Sequence, residues 1–140
     1  MAKVQGTSGY AKVVQQFIKS TESLPFEVLH RDFLAFFPTE KSWIVAVGAG
    51  CGRDAYELAK RGHRVIAVEP LLEFRLAGSK RYPSNQLQWI DDALPDLASL
   101  VKYVSRVDFV LASGVWHHLN RTEQEKALQQ IAHLLKPGGV

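Results

Sequence analysis

The chain has 140 residues, 46% of them hydrophobic and 22% charged, with a formal net charge of +3 and one cysteine, Cys51. That length suits one domain around one core. A single cysteine excludes an internal disulfide framework and fits a reducing compartment. No apolar run is long enough to cross a bilayer, and MAKVQGTSGY lacks the apolar stretch of a signal peptide, so a cytoplasmic, non-membrane protein is expected. Lysines and arginines are scattered rather than gathered into a basic stripe with interleaved aromatics, so a nucleic-acid partner is not expected.

Residues 1–40 read as a helical extension. Tyr10, Val13, Val14, Phe17 and Ile18 recur at helical spacing, as do Phe26, Leu29, Phe33, Leu34 and Phe37. Pro25 suits the first turn of the second helix and Pro38 closes it. From Trp43 the pattern changes. IVAV (44–47), VIAV (65–68), LQWI (87–90) and VDFVLAS (107–113) are short apolar runs of buried-strand type. Between and after them lie helical stretches, RDAYELAKRG, LLEFRLAGSK, PDLASLVKYV and RTEQEKALQQIAHLL. Gly62 is placed to end the first of these. Asn120 and Glu123 form a capping-box pattern at the start of the last, which Pro137-Gly138-Gly139 stops. Regular alternation of strand and helix predicts a doubly wound α/β domain over residues 41–140, its strands parallel and joined by right-handed crossovers.

The turn AVGAGCGRDA (46–55) joins the first strand to a helix at the carboxyl edge of the sheet, where open α/β sheets bind ligands. Gly48, Gly50 and Gly52 give G-x-G-x-G. A P-loop needs Lys and Ser or Thr after its last glycine, and Arg53-Asp54 stand there instead. The dinucleotide fingerprint G-x-G-x-x-G places its third glycine at position 53, which is Arg. Asp54 in the first helical turn also opposes a pyrophosphate, so an uncharged or zwitterionic ligand fits better. Glu69 ends the second strand about 20 residues on, where a carboxylate accepts hydrogen bonds from ribose hydroxyls.

Taken in order, VGAGCG, AVEP, WIDDALPDL, VDFVLASGVWHHL and LLKPGG resemble the motifs of class I S-adenosylmethionine-dependent methyltransferases, especially the broad small-molecule group, from about Trp43 to Val140. The resemblance implies a Rossmann-like methyltransferase fold with strands in the order 3-2-1-4, and S-adenosyl-L-methionine as cofactor. It implies that Gly48, Ala49 and Gly50 line the methionine portion and that Gly52 permits the close turn. Glu69 then holds the ribose, Pro70 and Leu71 flank the adenine, and Asp92 with Ala93 contact it. Asp92 also reads as a cap for the helix near Pro95. Ser113 and Gly114 line the transfer cleft, and of the adjacent His117 and His118, His117 is the candidate general base, with no metal site implied.

The same resemblance implies an acid two residues before the first glycine. Ala46 stands there, at a cost of about 1.5–3 kcal/mol in a charge-assisted contact, with Asp54 the nearest replacement. The family's seven-strand order continues past LLKPGG, so the chain is expected to be truncated, with an exposed fourth-strand edge open to dimerisation. The expected activity is methyl transfer to a small-molecule acceptor, and the alternative is a non-catalytic adenosyl-cofactor-binding or interaction module. Tyr10, Phe26 and His30 are expected either to line the cleft or to pack on the sheet.

Overall fold

The computed structural model describes residues 10–140. Helix α1 (Tyr10–Glu22) and the single turn α2 (Phe26–Leu29) precede β1 (Trp43–Val47), α3 (Arg53–Lys60), β2 (Arg64–Val68), α4 (Leu72–Arg81), β3 (Leu87–Ile90), β4 (Phe109–Ala112) and α5 (Arg121–Leu134). The four strands form one parallel sheet in the order β3-β2-β1-β4, as expected, with Val45 opposite both Ile66 and Val110. After α5 the chain returns beside β4. Val140 N–H donates to the Asp108 carbonyl, and its own carbonyl accepts from Val110 N–H.

Side chains alternate across a strand, so each central strand feeds both layers. Ile44, Ala46, Val65, Ala67 and Phe109 pack with Ala55 and Leu58 of α3 and with Phe26. Val45, Val47, Ile66 and Val68 point the other way, onto Leu97, Leu100, Tyr103 and Leu134. The extension belongs to this packing: Phe26 shares the first cluster, and Val14 and Ile18 of α1 bury Cys51 of the glycine turn. Phe26 is therefore a core residue.

Local chemistry sets the ends. Helix α3 closes in a Schellman motif, with Gly62 N–H donating to the Ala59 carbonyl and His63 N–H to that of Leu58, Gly62 at φ +98°. The Asn120–Glu123 capping box is present at α5, both reciprocal bonds made.

Three expected elements differ. The second helix of the extension stops after one turn at His30, whose ring meets Asp54 of α3; a short 3₁₀ turn, Leu34–Phe36, follows. The PDLASLVKYV stretch forms a 3₁₀ segment, Ala98–Tyr103, rather than an α-helix. Pro95 brings no N–H, and the Asp92 carboxylate takes the Ser99 N–H at the segment's start. Strand β4 is shorter than read, since Val107 makes only an isolated bridge to Leu135.

Candidate functional site

Beyond the carboxyl ends of β1 and β2, Gly48, Gly50 and Gly52 all adopt positive φ (+63°, +59° and +86°), which bends the chain from strand into α3. Their missing side chains are used by neighbours. A Cβ on Gly48 would lie 2.6 Å from Val115, one on Gly50 would lie 2.8 Å from the Phe17 ring, and one on Gly52 would lie 2.6 Å from Trp89 of β3. The third glycine thus serves packing against Trp89 as well as the turn.

Two cavities flank this turn. The larger, about 480 Å³, is walled by Gly50, Glu69, Pro70, Leu71, Phe74 and Ala93, and also by His118 and Glu123. The smaller, about 170 Å³, has Ala46 and Ala49 in its wall together with Arg53, Asp54 and Ser113. Phe17 and Gly48 line both, so the cavities meet at the glycine turn under the Phe17 ring. Phe17 is held there by stacking on Phe74, ring centroids 4.9 Å apart.

Glu69 is 5% exposed at the end of β2. One oxygen accepts from Gly50 N–H and the other from Leu71 N–H, each at 2.9 Å. Burial pushes this carboxyl above the usual range, against the pull of those two N–H groups and the Arg75 guanidinium. A carboxylate offers about four acceptor positions, so two remain for a ligand in the cavity it lines. Arg75 braces the same strand end through the Glu69 carbonyl at 2.7 Å and Asp91 at 3.3 Å.

Of the residues expected to surround a cofactor, Gly48, Gly50, Glu69, Pro70, Leu71 and Ala93 meet at the larger cavity, and Ala49, Gly52 and Ser113 at the smaller. Asp92 lines neither. Its oxygens accept from Ala93 N–H at 2.8 Å and Ser99 N–H at 2.7 Å, the capping role. His117 also lies outside; its ring packs on His118, centroids 4.0 Å apart, and His118 is the one that reaches the larger cavity. His30 binds Asp54, and the Tyr10 side chain lies outside the described residues. Phe17 and Phe74 were not singled out as lining residues. Phe17 stands out in the sequence only as part of an apolar helical stripe, which does not say which turn of the sheet it will cover. Among the described residues no cluster of histidine, cysteine or acidic side chains could hold a metal.

The fold and the site together define a class: a parallel sheet in 3-2-1-4 order, a glycine turn after its first strand, and a buried acid ending its second. Residues 44–139 match the family model described as a methyltransferase domain, and the chain belongs to that family. Among its relatives is the tRNA 5-carboxymethoxyuridine methyltransferase of Escherichia coli, 29% identical over 111 residues, covering 76% of this chain and 41% of that protein. With such a relative, the expectation against nucleic acid has no support. The TehB-like SAM-dependent methyltransferase of Corynebacterium glutamicum superposes with a TM-score of 0.71 at 19% identity, over 92% of this chain and 70% of its own. The 1,6-didemethyltoxoflavin-N1-methyltransferase of Burkholderia thailandensis, solved with 1,6-didemethyltoxoflavin and S-adenosylhomocysteine bound, gives 0.58 at 23% identity, over 99% and 64%. The chain spans about half the length, or less, of the curated relatives it matches.

Proposed function

We propose that this chain is the S-adenosylmethionine-binding part of a methyltransferase whose acceptor is a small molecule. The observation that carries the reading is the buried Glu69 carboxylate, tied to the glycine turn by Gly50 N–H and presenting its remaining acceptor positions to a cavity of nucleoside size. Glu69 accepts from the ribose hydroxyls. Pro70, Leu71, Phe74, Ala93 and Leu94 give the adenine an apolar sleeve, and Gly48 and Gly50 let the backbone approach the thioether side.

When bound, the cofactor supplies a methyl group already activated by a sulfonium sulfur. The chain's own part is orientation and exclusion of water. Where the acceptor must lose a proton, His118 at the cavity wall takes it, in place of His117. Among the described residues the larger cavity is lined by Glu69 and Glu123 and by no Lys or Arg, which favours an uncharged acceptor over a polyphosphate.

Calorimetric titration of the purified chain with S-adenosylhomocysteine, with NAD as control, tests this. The expected result is saturable one-site binding, weakened about tenfold to a hundredfold in Glu69→Ala, and none for NAD. A folded chain that binds no S-adenosylhomocysteine would overturn the reading in favour of a module that does not use this cofactor. Tight, steeply salt-dependent binding of tRNA would overturn the small-molecule acceptor.

A further inference from the structure

We propose that a third cavity, walled by phenylalanines of the extension and opening beside Ser113, takes the acceptor, and that the acceptor is an uncharged planar aromatic compound whose ring N–H or O–H donates to His30 Nδ1. The proposal rests on the reading above and narrows its acceptor from a small molecule to that chemical class.

The cavity, about 470 Å³, has the size that small-molecule pockets take. It shares Leu29, Leu111 and Ser113 with the smaller cavity at the glycine turn, and Gly114 with the larger one. A molecule seated in it therefore meets a cofactor bound across those two cavities at the carboxyl end of β4. Phe33, Phe36 and Phe37 of the extension and Phe109 of β4 form its walls. The rings of Phe37 and Phe109 are fixed edge to face, centroids 4.9 Å apart. Phe33 N–H donates to the His30 carbonyl at 2.8 Å and Phe36 N–H to that of Phe33 at 2.9 Å, which holds the backbone that carries the other two. Yet Phe33 and Phe36 are each 62% exposed. A flat aromatic ligand covers such rings by stacking or edge contact, at little cost in ordering because the walls are already set.

His30 gives the cavity its polar end. The residue is 6% exposed, its ring held against Phe26 and Phe37 at centroid distances of 4.8 and 5.6 Å. Its Nε2 lies 2.9 Å from Asp54 Oδ2. A carboxylate only accepts, so Nε2 carries the proton, and Nδ1 of the neutral ring is left as an acceptor. Among the described residues Nδ1 has no hydrogen-bond partner, yet no buried side-chain nitrogen or oxygen is left unsatisfied, so Nδ1 reaches accessible surface in the cavity that His30 lines. An acceptor nitrogen facing apolar walls calls for a donor on the ligand. Among the described residues no Lys, Arg, Asp or Glu lines this cavity, so a charged ligand would lose its hydration there without gaining a partner.

The experiment titrates indole and benzofuran into the chain saturated with S-adenosylhomocysteine, following the His30 ring nitrogens by heteronuclear NMR. The two probes share one planar outline, but benzofuran carries an oxygen where indole carries its N–H. Indole is expected to bind saturably, about fivefold more tightly than benzofuran, and to move the Nδ1 resonance where benzofuran does not. Phe33→Leu and Phe36→Leu change exposed positions and keep them apolar. Each should weaken indole about threefold through the lost aromatic contact, with S-adenosylhomocysteine affinity within about twofold of wild type. Equal binding of the two probes, an unmoved Nδ1 resonance, or unchanged indole affinity in both leucine variants would overturn the proposal. So would displacement of S-adenosylhomocysteine by indole, which would put the probe in the cofactor's own cavities, or a dimer that closes the cavity to indole, which would make the phenylalanine face an interface between copies of the chain. These outcomes leave the cofactor reading standing. A folded chain that binds indole but no S-adenosylhomocysteine would overturn that reading and, with it, the assignment of this cavity to an acceptor.

Discussion

Gly78, in the middle of α4, is where helix propensity and packing predict opposite outcomes for one substitution. Propensity alone makes Gly78→Ala stabilising by about 1 kcal/mol. In the structure a Cβ at 78 would lie 2.3 Å from the Cys51 carbonyl oxygen and 2.6 Å from Trp89 Cζ2. The first obstacle is backbone in the glycine turn, so no side-chain rotation relieves it. To reach even 3.0 Å, α4 and the turn must separate by about 0.7 Å. Overpacking of this kind costs about 1–3 kcal/mol, and the shift also loosens Trp89 against Gly52. The expected net effect is a loss of up to about 2 kcal/mol after the propensity gain is set against it. Urea denaturation of wild type, Gly78→Ala and the exposed control Ser79→Ala would measure it, with the control within about 0.5 kcal/mol of wild type. A Gly78→Ala chain more stable than wild type by about 1 kcal/mol, the gain that propensity alone predicts, would refute the claim that α4 seats on the turn through a bare glycine.

The remaining predictions address a cap, an acid and a histidine. Asn120→Ala should cost about 1 kcal/mol by removing the Glu123 N–H bond of the capping box, read in the same denaturation assay. Burial raises the Asp108 carboxyl, but the Lys136 ammonium at 2.7 Å and Trp43 N–H at 2.8 Å outweigh it and hold the group below its ordinary range. A folded-state pKa that is depressed stabilises above the unfolded value, near 3.9, and is lost as pH falls through the folded one. Wild type should therefore exceed Asp108→Asn in stability at pH 7, with the gap narrowing on acidification below about pH 4. A gap that widened there would contradict the pairing. His118→Ala should weaken S-adenosylhomocysteine binding by about fivefold, the worth of about 1 kcal/mol of cavity contact. His117→Ala should leave it within about twofold, because its ring lies outside the cavity.

The sheet was legible because each strand is a short apolar run bounded by turn residues, and parallel strands buried on both faces need that pattern. The order 3-2-1-4 came through the motif resemblance, and the pairing confirms it. Glu69 was legible for a physical reason as well: an acid at the end of a buried strand is out of place unless backbone N–H groups or a ligand receive it, and Gly50 and Leu71 do. Long-range contacts were not legible. Nothing local distinguishes Phe17 from Val13 or Val14 on the same helix. Only the packing of α1 across α3 and α4 puts the Phe17 ring on Gly50. Asp92 was ambiguous from the start, since a carboxylate ahead of a turn serves a ligand or a cap equally well in one dimension. In the fold the Ser99 N–H shows that the cap is made.

The same few atoms hold the fold and build the site. Gly50 N–H anchors Glu69, the Cys51 carbonyl bears on Gly78, the Gly52 gap admits Trp89, and Cys51 itself is sealed by Val14 and Ile18 of the extension. A turn so tied to two helices and a strand is preorganised for a ligand, because its backbone has few other places to go. It also means that a change at the site propagates into stability. Loss of ligand binding in a turn variant therefore reports on recognition only when the variant's denaturation midpoint is unchanged. Changes to the ligand, such as removing an ammonium or a carboxylate, leave the turn untouched and separate the two effects cleanly.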